Sequence, residues 1–306
     1  MSKLDYQQAF SRLDWIEAYS VRWGPNRALL CATILAEICQ EFSEEACIKK
    51  FFNPEEVEKT GMCIPELSES TGSLPDVVCF GGGATELMAF AALLRHLRPQ
   101  STILKPAQAP KSSAQTVNLQ LIDLADWRSV TSTLLSKLIT PPLLSKFASQ
   151  AAKDNNQPFI PSDTINSILL QDNILNATQA ELAGMLGSQP SLITLIFTLN
   201  DLHSLSTAKS AAFLLKLTLA TPQDSLLLVV DSAEPFGTGE KLRGYGMKKL
   251  LDFVLLGKRA PDDVDTNPAW KELVREESRL FKLHETLRFP VSLDNIRFQV
   301  HLFKRR

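Results

Sequence analysis

The chain has 306 residues, 44% of them hydrophobic, which is enough to bury a substantial core and excludes disorder as the main state. Its 32 Lys+Arg against 34 Asp+Glu leave a formal charge of -2, so no global signature of a nucleic-acid binder exists and any such site has to be local. Five cysteines (Cys31, Cys39, Cys47, Cys63, Cys79) without a CxxC pair, and four scattered histidines, predict reduced intracellular thiols and argue against a disulfide framework or a metal site.

Residues 4 to about 50 read as helix, because Leu4, Phe10, Leu13 and Ile16, then Leu30, Ile34 and Ile38, recur at three- to four-residue spacing. Gly24-Pro25 divides the stretch, with Pro25 in the first turn of the second helix, where a missing N–H is tolerated. Residues 51–75 read as a linker, which sets an N-terminal helical segment (1–70) before a larger domain (71–306). From Asp76 onward short apolar runs alternate with helical patterns, the sign of an α/β domain with a mainly parallel sheet. Strands are expected at 76–80, 117–121, 167–171, 191–198 and 225–230. Most are nearly continuous in Val, Ile, Leu and Phe, so they need helices on both faces. Residues 98–116 and 140–166 read as surface insertions. A helix near 247–256, a polar loop to Pro268, and strand-like runs around Phe281 and over 298–303 complete the chain, the last two as a terminal hairpin. Neither end carries a signal peptide or a lipidation motif, and no apolar run approaches the roughly 20 residues of a bilayer span. The expectation is a soluble protein of the cytoplasm or nucleus.

Two features point to a ligand. Gly81, Gly82 and Gly83 follow the first strand immediately and precede a helical pattern, so the backbone there can approach a cofactor closely. Read as G-x-G-x-x-G the loop has Glu86 in place of the third glycine, which weakens a dinucleotide reading, and no Gly-Lys-Ser/Thr follows, which excludes a P-loop. A tight structural turn is the alternative. Polar residues also end the other strands: Asp123, Asp172, Asn200-Asp201 and Asp231-Ser232. In an open α/β sheet ligands bind outside the carboxyl ends of the strands, although Asp and Asn also serve there as helix caps.

The strings 15–29 (WIEAYSVRWGPNRAL), CFGGGATEL (79–87), LQLIDLADW (119–127), LITLIFTLNDLHS (192–204), LLLVVDS (226–232) and the closing LRFPVSLDNIRFQVHLFKRR together resemble the fungal large-subunit (25S) ribosomal RNA uridine-N3 methyltransferases, a class I S-adenosylmethionine-dependent family. The resemblance implies a Rossmann-like, mostly parallel sheet of seven strands with a C-terminal antiparallel hairpin, and methyl transfer to a uridine N3. It implies S-adenosylmethionine as cofactor and ribosomal RNA as partner, in the nucleus or nucleolus, with the cytoplasm as alternative. Gly81, Gly82, Gly83 and Glu86 would form the cofactor loop, Asp123 would hold the ribose, Asp172 would face the adenine, Thr198 would also bind the cofactor, and Asn200 and Asp201 would face the methyl group. Arg22 or Arg27 would take the methionine carboxylate. Uridine N3 must lose a proton, and Asp201 or His203, with Asn200 beside them, are the catalytic candidates by position. Arg12, Arg22 and Arg27 with Tyr19 and Trp23, the lysines and arginine at 241–249, and Lys304 to Arg306 would contact RNA.

The family often carries Asn-Glu-Leu-Tyr where this chain has Asn200-Asp201-Leu202-His203, Ser-Pro-Gly where it has Ser232-Ala233-Glu234, and a tryptophan where it has Leu280. These departures keep two alternatives open: a small-molecule methyltransferase derived from that family, and a ribosome-assembly factor that binds cofactor without turnover.

Overall fold

A computed structural model describes residue 10 and residues 12–52, 74–98, 115–233, 247–258 and 267–306. Helix α1 (Leu13–Arg22) and helix α2 (Gly24–Glu41) part at Trp23, and Pro25 lies in the first turn of α2 as expected. The single turn α3 (Ala46–Lys49) follows. The α/β alternation then runs β1 (Val77–Phe80), α4 (Ala84–Leu97), β2 (Val117–Asp123), α5 (Arg128–Leu138), the short α6 (Gln150–Asp154), β3 (Ile165–Gln171), α7 (Gln179–Leu186), β4 (Leu192–Ile196), α8 (Leu199–Leu205), α9 (Thr207–Ala220), β5 (Leu226–Ser232) and α10 (Met247–Val254), before the long strands β6 (Trp270–Phe281) and β7 (Ile296–Arg305).

The strands form one sheet in the order β3-β2-β1-β4-β5-β7-β6. The first five are parallel, and β7 is antiparallel to both β5 and β6, which is the seven-stranded arrangement that the resemblance implies. Burial of both faces follows from strict alternation. Val77, Cys79, Leu226 and Leu228 pack into one core with α2, α3 and α4, while Val78, Phe80, Leu227 and Val229 pack into the other with α7, α9 and α10. The four described cysteines are buried and free, and burial pushes the Cys39 and Cys47 thiols up to about 12.

Most strand bounds differ from the sequence reading by one or two residues, and two of the differences have a visible cause. β4 stops at Ile196 instead of 198, because Phe197 turns the chain at φ +52°, a left-handed conformation rare for a bulky residue. β6 begins at Trp270, well before the apolar run around Phe281. It is an edge strand whose middle is polar, and its anchor is the buried Trp270 indole, which donates to Thr218 Oγ1 at 2.9 Å. Of the expected irregular segments, 140–166 is largely exposed around α6, and most of 51–75 and 98–116 lies outside the described residues, as does the expected boundary at 70.

The N-terminal helices share a core with the sheet: Leu30, Ile34 and Leu35 of α2 and Phe51 lie in the same cluster as Leu87 and Phe90 of α4. Replacing Leu35 with alanine is therefore expected to cost about 2–5 kcal/mol in denaturant unfolding. Far-UV dichroism and tryptophan fluorescence should report one shifted transition. Two separated transitions would mean that the helices unfold on their own.

Candidate functional site

The strand order reverses between β1 and β4, since β1 leads outward to β2 and β4 leads outward to β5. Connections leave the two carboxyl ends in opposite directions there, which opens a crevice. A cavity of about 1070 Å³ occupies it, walled by the ends of β1, β2, β3 and β4 and covered by Phe10, Leu13, Ile16 and Tyr19 from the N-terminal side. The glycines fit close approaches. Gly81 turns at φ +73°, and any side chain there would run into Thr198 across the switch point. A Cβ on Gly83 would lie 2.7 Å from the Trp127 ring, a clash. Glu86 reaches back from the first turn of α4 so that its carboxylate accepts the Gly83 N–H at 2.7 Å, which fixes the loop from within.

The cavity is acidic. Glu86, Asp123, Asp126, Asp172 and Asp201 line it, and Arg27 is the one cation among its described lining residues. Burial pushes the Glu86 carboxyl up to about 7 and the Asp123 carboxyl up to about 6, although Glu86 accepts from Gly83 and Asp123 accepts the Ala125 N–H at 2.6 Å. Asp172 follows β3, its N–H on the Asp123 carbonyl at 2.9 Å, so the ends of β2 and β3 present two acids side by side. Arg27 is held by an aromatic frame: it donates to the Tyr19 hydroxyl and stacks 4.4 Å from the Phe197 centroid. Phe197 is the residue in the left-handed turn, so the turn that ends β4 also aims its ring at Arg27.

Of the residues read from the sequence, Gly81, Gly83, Glu86, Asp123, Asp172, Thr198 and Asp201 line one cavity. Gly82 packs behind them against Cys79 and Leu121. Three further candidates, like Gly82, are not in the lining. Arg22 forks instead onto the Asp294 carboxylate at 2.6 Å and the Ser292 carbonyl at 3.2 Å, so Arg27 takes the place in the cavity that either arginine was expected to fill. Asn200 gives its backbone N–H to Asp231 Oδ2 at 2.9 Å. His203 is 5% exposed and lies 3.5 Å from Thr207 Oγ1, and burial lowers its pKa. The reason is helical phase: Asp201 and His203 are two positions apart on α8, about 200° round the axis, so only one of them can face the cavity. The expected basic tail is engaged elsewhere, Lys304 with Glu45 at 2.7 Å and Arg305 with the Thr218 and Ala269 carbonyls. Lys241 and Arg243 lie outside the described residues. Sequence reasoning did not single out Trp127 or Phe197, although Trp127 stands four residues after the acid that ends β2.

Among the described residues no group of three or more His, Cys, Asp or Glu is arranged to hold a metal ion, and no helix is long and apolar enough to cross a membrane. The donor set fits S-adenosylmethionine: carboxylates for ribose hydroxyls and for a cationic sulfonium and ammonium, and a single guanidinium for a single carboxylate. Sheet order, antiparallel β7, glycine loop and acid-lined switch point define a class I S-adenosylmethionine-dependent methyltransferase. The chain belongs to the Methyltransf_34 family of SAM-dependent methyltransferases, which it matches over residues 1–304. It is 27% identical over 307 aligned residues to the 25S rRNA (uridine(2843)-N(3))-methyltransferase of Saccharomyces cerevisiae, covering 98% of this chain and 73% of that one. Among solved structures, a SAM-dependent methyltransferase from Anabaena variabilis is 13% identical, with a TM-score of 0.41 and coverage of 98% of this chain and 93% of that chain. A DUF574 family protein from Streptomyces avermitilis is 12% identical, with a TM-score of 0.39 and coverage of 98% and 95%.

The buried Glu86 gives a signed pH dependence. Its folded pKa of about 7 lies above its ordinary value of 4.5, so the folded state keeps its proton longer than the unfolded chain. The contribution of Glu86 to stability is fully present below about pH 4.5 and is lost as pH rises through about 7. Glu86→Gln keeps an acceptor for the Gly83 N–H and cannot ionise, so thermal unfolding should show a larger gain at about pH 8 than at about pH 5. An equal or reversed difference would count against a strained buried carboxyl.

Proposed function

We propose that this methyltransferase acts on the N3 of a uridine in large-subunit ribosomal RNA. The observation that carries this reading is the 27% identity to the yeast 25S rRNA uridine-N3 enzyme along 98% of the chain. On this reading the protein works in the nucleus or nucleolus.

The residue roles follow from the chemistry. Bound S-adenosylmethionine supplies a methyl group made electrophilic by its sulfonium. The protein's task is to align a nucleophile with that methyl at near-attack distance and to exclude water. The glycine loop and Thr198 would border the methionine and ribose side, Asp123 would accept from the ribose hydroxyls, and Asp172 would border the adenine. Arg27 would take the methionine carboxylate. Asp201, in the first turn of α8 at the end of β4, is the base that accepts the N3 proton as the new bond forms.

A second reading, a small-molecule methyltransferase, draws on the half-exposed apolar mouth at Leu13, Leu124 and Leu205 and on the overall charge of -2. Incubation with labelled S-adenosylmethionine and a fungal extract separates the two. Label recovered as 3-methyluridine from large-subunit rRNA supports the RNA reading, and label confined to small molecules rejects it.

Two variants test the roles. Arg27→Ala should weaken S-adenosylmethionine about tenfold or more while leaving 5′-methylthioadenosine, which lacks the carboxylate, within about twofold in calorimetry. Equal losses for both ligands would point to a damaged cavity. Asp201→Asn should lower turnover by about 10²- to 10⁴-fold with cofactor affinity little changed, and His203→Ala should retain turnover. Wild-type turnover in Asp201→Asn would remove the base assignment.

A further inference from the structure

Helix α1 and its C-cap carry both cavity-lining and exposed side chains. Ile16 and Tyr19 face the cavity, whereas Trp15 and Trp23 stand out in solvent, 45% and 40% exposed. Each exposed indole carries a stacked guanidinium: Arg12 lies 5.7 Å from the Trp15 centroid and Arg22 lies 4.4 Å from that of Trp23. Each guanidinium is in turn neutralised. Arg12 forks onto Asp14 with bonds of 3.0 and 2.6 Å, and Arg22 onto Asp294 at 2.6 Å. Trp15 and Arg22, seven positions apart, share one face of the helix, and Trp23, its C-cap, lies about 80° round the axis from Trp15. At 1.5 Å per residue the two indoles are roughly 12 Å apart along the axis, the span of about three stacked nucleotides.

We propose that Trp15 and Arg22 of α1, with Arg12 before it and Trp23 after it, form the docking platform for an unpaired stretch of RNA beside the cavity. The inference rests on the rRNA reading above and deepens it. Indoles that alternate with guanidinium forks match the alternation of base and phosphate along a single strand. Exposed ion pairs are weak, so a phosphate oxygen can replace Asp14 or Asp294 on its arginine at little cost. On this proposal a chain of charge -2 gains a local basic surface as the carboxylates are displaced. The platform adjoins the reaction centre through the helix itself. Leu13, two residues before Trp15, lines the same cavity as Ile16 and Tyr19. Asn26, donating to the Asp294 carbonyl at 3.2 Å, ties the 282–295 connection of the terminal hairpin to the same edge independently of the Arg22–Asp294 pair.

The test uses the full chain, a short end-labelled oligouridine RNA, and anisotropy across a salt series. Trp15→Ala with Trp23→Ala should weaken the RNA about tenfold or more. Arg12→Ala with Arg22→Ala should flatten the log–log salt slope by about 1.4, two phosphates at about 0.7 each. Asp14→Asn with Asp294→Asn should tighten binding, a direction that misfolding does not produce. Cofactor affinity, measured by calorimetry, should be unchanged in the tryptophan and aspartate variants. Wild-type RNA affinity in the tryptophan variant, or weakened or unchanged affinity in the aspartate variant, overturns the platform. If the wild type methylates rRNA while those variants bind RNA as it does, the platform alone fails. If the wild type neither methylates nor binds RNA, the functional reading fails with it.

Discussion

The close approach of Gly81 to Thr198, across the point where the sheet reverses its order, is the constraint on which the rest of the site depends. Parallel strands that end level with one another leave room only where their connections part. Gly81 closes the gap between β1 and β4 without a side chain, and Phe197 turns β4 away in a conformation that bulky residues seldom adopt. Both departures from ordinary backbone geometry sit at one place, and the cavity begins there.

Around that point the protein concentrates negative charge under low solvation. Glu86 and Asp123 are raised by burial, as is Asp231, which is pushed up to about 7 while it accepts N–H groups from Asn200 and Ser232. Each of these carboxyls also holds backbone in place: Glu86 the glycine loop, Asp123 the start of the turn after β2, and Asp231 the first turn of α8. The loops that surround the cavity are thus pinned by the same acids that set its potential. A cationic ligand relieves part of the cost of keeping them ionised, which couples cofactor binding to loop order.

The N-terminal helices complete the cavity. α2 is anchored in the core that packs on one face of the sheet, and Ile16 of α1 packs with Ala84, Ala125 and Trp127 at the edge of the site. Leu13, Ile16 and Tyr19 of α1 line the cavity, while Trp15 and its C-cap Trp23 are exposed.

Period and strand texture determined the fold. Nearly continuous apolar runs require a sheet covered on both faces, and Gly24-Pro25 marks a helix start because proline lacks the donor that only a first turn can spare. The sequence also determined most of one side of the site, because Gly81, Gly83, Asp123 and Asp172 occupy strand ends, and strand ends in such a sheet lie along one edge. Tertiary structure decided what strand-end logic does not reach. Helical phase turned Asp201 toward the cavity and His203 away from it, an ion pair with Asp294 drew Arg22 outward and left Arg27 inside, and the solvent-facing middle of β6 hid its start at Trp270. In each case the outcome depends on which neighbour a side chain meets, and those neighbours are up to 272 positions away along the chain.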